Sequence, residues 1–144
     1  MFRQEAREWL NRNLPVVASS QELGCGQSVE YMKNRRPFEQ QIGAFQVVKH
    51  RCADMAVRCE SAWSLTCYGA AAYDAGLPSA VLNASSAKVM AAQDAIKKSS
   101  DNVQNHGAMG FTYELAAHPL LRRAHSQGDT LIEGTELLDL LRRN

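Results

Sequence analysis

The sequence predicts an all-α fold, an antiparallel up-and-down helical bundle, and three observations support that expectation. Apolar residues recur at three- and four-residue steps over long stretches, and strand-type alternation is nearly absent. The two longest periodic stretches each end in helix breakers, Gly76 with Pro78 and then Gly107 with Gly110. At 144 residues the chain has the length of one domain. A chain of this size buries roughly two thirds of its unfolded surface, enough for an ordinary core.

Residues 2–13 predict a first short helix with Phe2, Ala6, Trp9 and Leu10 on one face. Pro15 stops it, because a proline pushes the preceding residue out of the helical region. Residues 19–33 predict a weaker helix, since Gly24 and Gly26 each cost about 1 kcal/mol of propensity relative to alanine. A turn follows at Arg36-Pro37-Phe38-Glu39. The segment 42–75 carries the strongest periodicity: Phe45, Val48, Cys52, Met55, Cys59 and Ala62, with the stripe moving one position on through Trp63, Cys67 and Ala70. Leu82, Val89, Ala92, Ile96, Ser99 and Val103 predict a fourth helix over 79–105. Shorter helices follow over 117–126 and 131–142, the latter opened by Thr130-Leu131-Ile132-Glu133, which has capping-box spacing. Residues 1–18 thus read as an N-terminal helix and linker, and 19–144 as the bundle.

Sixteen Lys and Arg against fifteen Asp and Glu give a net charge of +1, so no electrostatic feature points to nucleic acid or to an anionic membrane. No apolar stretch approaches the ~20 residues of a membrane span. The opening Met-Phe-Arg-Gln-Glu-Ala-Arg-Glu is charged and amphipathic rather than signal-like, and the expected setting is cytoplasmic. Cys25, Cys52, Cys59 and Cys67 include no Cys-x-x-Cys pair, and the four histidines supply no pair one helical turn apart. No metal site is expected on that spacing. The cysteines read as small buried hydrophobes.

Three places offer chemistry. Gln104-Asn105-His106-Gly107-Ala108-Met109-Gly110-Phe111-Thr112 is a glycine-broken turn where backbone could approach a ligand closely. A helix C-cap followed by a loop is the reading the residues by themselves favour, since glycine commonly follows a helix. Lys33-Asn34-Arg35-Arg36-Pro37-Phe38 pairs arginine forks, suited to phosphate, with an adjacent aromatic, although basic residues also favour a helix end for its dipole. Glu133 could serve as a general base, and its capping-box position accounts for it without catalysis. No phosphate loop, dinucleotide fingerprint or nucleophile elbow is present.

Two of these segments, in their order, carry a family resemblance. Ser28-Val29-Glu30-Tyr31-Met32-Lys33-Asn34-Arg35-Arg36-Pro37-Phe38 runs into Ile42-Gly43-Ala44-Phe45-Gln46 and on to Ala53-Asp54-Met55. This resembles the C-terminal helical domain of acyl-CoA dehydrogenases, where a Tyr-x-x-x-Arg-x-x-Phe-Gly-x-x-Ile-Gly-x-Phe-Gln segment opens a long helix. Gln104-Asn105-His106-Gly107-Ala108-Met109-Gly110-Phe111-Thr112 is similar to the family's Gln-x-His-Gly-Gly-x-Gly-Phe-Thr, and His118 and Leu121-Arg122-Arg123-Ala124 continue the likeness. Residues 2–15 also resemble the extreme N-terminus of many members. Family chains hold most of a helical domain and a middle β-domain between those pieces, so this sequence reads as the family's start joined directly to its C-terminal bundle.

The resemblance implies FAD-dependent α,β-dehydrogenation of an acyl-CoA thioester, with a bound FAD taking a hydride and a carboxylate taking a proton. It implies FAD contacts at Arg35, Phe38, Gln104 and Gly107, and Glu133, in Ile132-Glu133-Gly134-Thr135, as the catalytic base. It also implies a homo-oligomer, or a hetero-oligomer with a fuller acyl-CoA dehydrogenase subunit whose flavin site this chain completes. A non-catalytic oligomerisation domain is the alternative. Glu39 stands where the family has a glycine, and Ala108 stands for the second glycine of the Gly-Gly pair.

Overall fold

The computed structural model describes residues 24–128 and Asp139. The helix expected over 2–13, the first part of the 19–33 segment, the capping box at Thr130–Glu133 and the helix expected over 131–142 lie outside the described residues. Among the described residues four α-helices follow in order: α1 (Gly26–Asn34), α2 (Gln46–Asp74), α3 (Ala80–His106) and α4 (Ala117–Gly128). Short 3-10 turns occupy Pro37–Glu39, Ile42–Ala44 and Gly107–Phe111. Among the described residues there is no strand, and no helix is long and apolar enough to cross a membrane.

The 29 residues of α2 and 27 of α3 make rods of about 44 and 40 Å at 1.5 Å per residue. A tight stop lets the second rod fold back along the first. Gly76 takes a φ of +67°, and the amides of Leu77 and Gly76 donate to the carbonyls of Ala72 and Tyr73 at 3.0 Å each. This paired closure satisfies the last carbonyls of α2 at the cost of a left-handed residue that glycine adopts freely. The sequence places this end correctly at Gly76 and Pro78. Helix α3 is the central element, packing against α1, α2 and α4.

The core is built largely from small residues. Met55, Cys59, Ala62 and Ala72 of α2 are buried, as are Ala80, Ala84, Ala87 and Val103 of α3, with Met32, Ala117 and Ala124 from the flanking helices. Gly69 brings the two long helices close: a Cβ there would sit 3.5 Å from the backbone carbonyl of Asn83. The buried stripe of α2 accordingly differs from the expected one. After Ala62 it continues through Thr66, Gly69 and Ala72, while Trp63, Cys67 and Ala70 are only half-buried. Thr66 can face inward because its hydroxyl donates to the Ala62 carbonyl at 2.6 Å, which removes the penalty of burying it. Hydrophobicity alone points to the tryptophan, whereas close helix packing selects the smaller residue.

Three further expectations change. Helix α2 starts at Gln46 rather than 42, because Phe45 is extended (φ −73°, ψ 131°) and its carbonyl accepts the amides of Val48 and Lys49. Phe45 is therefore a cap, and it is 47% exposed. In α3, Leu82 is exposed and Val89, Ala92 and Ile96 are half-buried, whereas Lys98, Ser99, Asn102, Asn105 and His106 are buried. The buried face of this helix is polar toward its C-terminus. The cysteines are not uniform either: Cys59 is buried, while Cys25, Cys52 and Cys67 are half-buried.

Candidate functional site

The polar end of α3 meets the C-terminal end of α1, and that junction makes a cleft. Ser28 and Tyr31 stand one helical turn apart on α1, and Arg35 follows a turn later as the residue that ends it. Ser28 is fully buried and donates its hydroxyl to the Asn102 Oδ1 at 2.5 Å. The Tyr31 ring lies against the His106 ring with centroids 4.4 Å apart, and its hydroxyl donates to the His106 carbonyl at 3.4 Å. His106 Nδ1 is 2.8 Å from the Asn102 carbonyl, a contact that requires the proton on Nδ1. The imidazole is thus held as a buried wall of the cleft.

Arg35 crosses that wall at its rim. Its guanidinium sits 5.8 Å above the Tyr31 ring, within cation–π range. Its amide donates to the Tyr31 carbonyl at 2.8 Å, and its carbonyl accepts the Ile42 amide at 3.0 Å, so the backbone is pinned on both sides while the side chain stays exposed. A second cation enters from α2. Arg51 Nη1 donates to the Asn105 Oδ1 at 3.1 Å, and its Nε lies 4.0 Å from Asp101, whose other oxygen pairs with Arg58 at 3.0 Å. The amide nitrogen of Asn105 turns inward to Met55 Sδ (3.4 Å), Ser28 Oγ (3.4 Å) and Cys52 Sγ (3.8 Å).

The floor of the cleft is the turn after α3. Gly107 takes φ +60° and ψ −136°, a backbone state disfavoured for any residue with a Cβ, and a Cβ built there meets nothing within 4 Å. The glycine is required by conformation, and the open space beside it leaves backbone exposed to a ligand. Gly110 is required by packing, since a Cβ there would collide with the Val103 carbonyl oxygen and lie 3.0 Å from the Val103 Cα. Together Tyr31, Arg35, Arg51, Gln104, Asn105 and Gly107 contribute to an open cleft of about 320 Å³.

Of the residues expected from sequence, Arg35, Gln104 and Gly107 come together on this cleft from segments about seventy positions apart. Phe38 lies in the neighbouring 3-10 turn Pro37–Glu39. Glu133 lies outside the described residues. Sequence reasoning missed Arg51 and Asn105. The detectable signal was a shared face: Asp101 and Asn105 one turn apart on α3, opposite Arg51, Met55 and Arg58 on α2.

Glu39, where the family resemblance has glycine, carries a φ of +65°, the only non-glycine residue with positive φ among the described residues. The backbone there takes a left-handed conformation that glycine adopts freely, although the residue carries a side chain. A left-handed residue with a Cβ costs roughly 1–2 kcal/mol, part of which is returned by the lower unfolded-state entropy of a non-glycine. Glu39→Gly is therefore expected to stabilise the fold by up to about 1 kcal/mol in a urea titration. A destabilisation would show that the strain is relieved elsewhere.

The acyl-CoA dehydrogenase C-terminal domain model matches residues 17–140, and the chain belongs to that family. It is 30% identical over 128 residues to the acyl-CoA dehydrogenase IpdE2 of Mycobacterium tuberculosis, covering 85% of this chain and 38% of the relative. It is 39% identical over 111 residues to acyl-CoA dehydrogenase FadE34 of the same organism, covering 72% of this chain and 15% of that protein. Among solved structures, butyryl-CoA dehydrogenase from Megasphaera elsdenii shares the fold with a TM-score of 0.83 at 23% identity, over 96% of this chain and 38% of that one. The chain thus spans well under half the length of these relatives.

Proposed function

We propose that this chain forms the helical wall of an acyl-CoA dehydrogenase flavin site, serving FAD-dependent α,β-dehydrogenation of an acyl-CoA thioester. The observation that carries the reading is the convergence of Arg35, Gln104 and Gly107 on one cleft. The residues there suit the phosphate-bearing part of a dinucleotide. Two guanidinium groups stand at the rim and side, an exposed amide side chain accompanies them, and Gly107 leaves backbone open to close approach. A volume of about 320 Å³ holds a portion of such a ligand, and the rest would lie against a second surface.

When bound, FAD supplies the acceptor for the hydride from the acyl β-carbon. In this reading Arg35 neutralises phosphate charge from a fixed backbone position, and the Tyr31 ring beneath limits the directions its fork can take. Arg51 adds a second positive charge whose orientation Asn105 and Asp101 maintain. Gln104 offers amide hydrogen bonds at the turn, and Phe38 contributes from the adjacent corner. Glu133 remains the proposed base.

Val47, Val57 and Tyr68 of α2 are 70%, 64% and 56% exposed, beside the exposed Phe45. Apolar side chains so far out on one helix support association with a second copy or with a fuller acyl-CoA dehydrogenase subunit. Such a partner would also provide the second surface for the flavin.

A flavin fluorescence titration tests the proposal. Arg35→Ala is expected to weaken saturable FAD binding about tenfold, the loss of one charge-assisted hydrogen bond, and Arg36→Ala less than about twofold. Equal effects from both variants, or none from either, would overturn the assignment of Arg35. If a second copy completes the site, the apparent affinity rises with the concentration of the chain.

A further inference from the structure

We propose that Cys25 and Cys59 form a peroxide-oxidisable thiol pair that closes to a disulfide, tying the start of α1 to the middle of α2, with Lys98 as the cation that keeps Cys59 reactive. The two sulfur atoms lie 3.4 Å apart although the residues are 34 positions apart in sequence. Cys59 is 8% exposed on the inner face of α2, and Cys25 is half-buried in the wide turn that leads into α1. Neither thiol belongs to the cleft.

Lys98 supplies the third member. It is 5% exposed on α3, and its stem runs under Gly24, where a Cβ would touch the lysine Cε at 3.4 Å. A buried ammonium needs an anionic or polar partner, and the Lys98 charge favours the thiolate form of Cys59. Hydrogen bonding from Cys25, together with Lys98, pulls the Cys59 thiol down to about 6 against the opposing pull of burial and the Asp94 carboxylate. The Cys25 thiol is correspondingly held up, by its bond to Cys59 and by burial, with Cys52 adding to the effect. The lowered thiol, Cys59, is the readier of the two to react as a thiolate, with Cys25 as the neighbouring sulfur at 3.4 Å. This division of roles is that of an attacking and a resolving cysteine.

The chemistry balances with hydrogen peroxide as oxidant. The Cys59 thiolate attacks one peroxide oxygen, the O–O bond breaks, and hydroxide leaves to be protonated to water. The product is a sulfenic acid. The Cys25 sulfur then attacks the Cys59 sulfur, the S–O bond breaks, and the sulfenic oxygen leaves as a second water carrying the Cys25 proton. Two thiols lose two electrons and two protons, and the peroxide is reduced to two waters. Cys52 stands apart from this couple, with its sulfur 3.5 Å from the thioether of Met32.

Treating the intact chain with hydrogen peroxide and digesting it without reductant reads the outcome by mass spectrometry. The expected result is a peptide pair linked through Cys25 and Cys59, two hydrogens lighter than the free pair and released by dithiothreitol. In Cys25→Ser, Cys59 is expected to remain a sulfenic acid that dimedone traps. Lys98→Met, checked for native helicity by circular dichroism, is expected to slow thiol loss about tenfold at pH 5, where a thiol one pKa unit higher has about a tenth of the thiolate, and less than about twofold at pH 7. Four free thiols after treatment, over-oxidation of Cys59 without a linked peptide, or a link formed instead to Cys52 or Cys67 would each overturn the proposal.

Discussion

Gly110→Ala is expected to destabilise the fold by about 3 kcal/mol, the upper part of the range for overpacked sites. The added methyl group would enter the space of the Val103 carbonyl oxygen and lie 3.0 Å from the Val103 Cα and 3.1 Å from its carbonyl carbon. All three are backbone atoms in the last turns of α3, so no side chain can rotate away. The turn Gly107–Phe111 must shift instead, and it carries Gly107, Ala108 and Met109 along the cleft. The same variant is therefore expected to weaken FAD binding beyond what its stability loss explains. Gly26→Ala, where a Cβ meets nothing within 4 Å, is the control and should not destabilise. Denaturant midpoints of the two variants decide the matter. A Gly110→Ala loss below about 1 kcal/mol would mean that the turn gives way easily.

Met55→Ala is expected to cost 2–5 kcal/mol, in the range of core deletions that leave a cavity. Met55 is fully buried at the crossing of α2 with the polar end of α3, and it is the largest of the fully buried side chains among the described residues. Its sulfur also lies 3.4 Å from the Asn105 amide nitrogen, so truncation removes packing and an acceptor together. Asn105 in turn holds Arg51, and the cleft should loosen as the core does. Met55→Leu separates the two effects. It conserves volume and should cost less than about 1.5 kcal/mol, while still removing the sulfur acceptor. Urea unfolding with an unchanged m-value measures both variants. A loss below about 1 kcal/mol for Met55→Ala would show that the surrounding helices collapse into the space.

The sequence makes the helices and their ends legible where a strong local signal exists. Gly76 with Pro78 marks the turn between the long helices because the closure of α2 demands a left-handed residue, a requirement that acts within a few positions. The recurrence of small and apolar residues likewise marks α2 and α3. The details that depend on the opposite helix are not legible in the same way. Trp63 carries far more apolar surface than Thr66, yet Thr66 is buried because its hydroxyl is satisfied within its own helix and the facing backbone is near.

The candidate site divides along the same line. Arg35, Gln104 and Gly107 are visible because they sit in two recognisable segments. Arg51 and Asn105 become visible only when α2 and α3 are laid side by side, since neither is unusual among its neighbours in sequence. Glu39 is a third case: the sequence shows a charged residue where the resemblance has glycine, and only the backbone angle shows that this position is left-handed. The Cys25–Cys59 contact joins the turn before α1 to the middle of α2, and no spacing rule for cysteines anticipates it.

The buried hydroxyl of Ser28 has a consequence for aim. Successive residues of a helix point about 100° apart, so Ser28 and the terminal Arg35, seven residues on, share nearly one azimuth around the axis of α1, with Tyr31 about 60° from Ser28. Rolling α1 by a single residue would withdraw Ser28 from the fully buried Asn102 and strand polar groups on both helices, whereas the apolar contacts, being non-directional, would resist the roll far less. One serine thus works as a keyway. By fixing the roll of a nine-residue helix it sets the bearing along which Arg35 leaves the rim, two turns away from the bond that does the fixing.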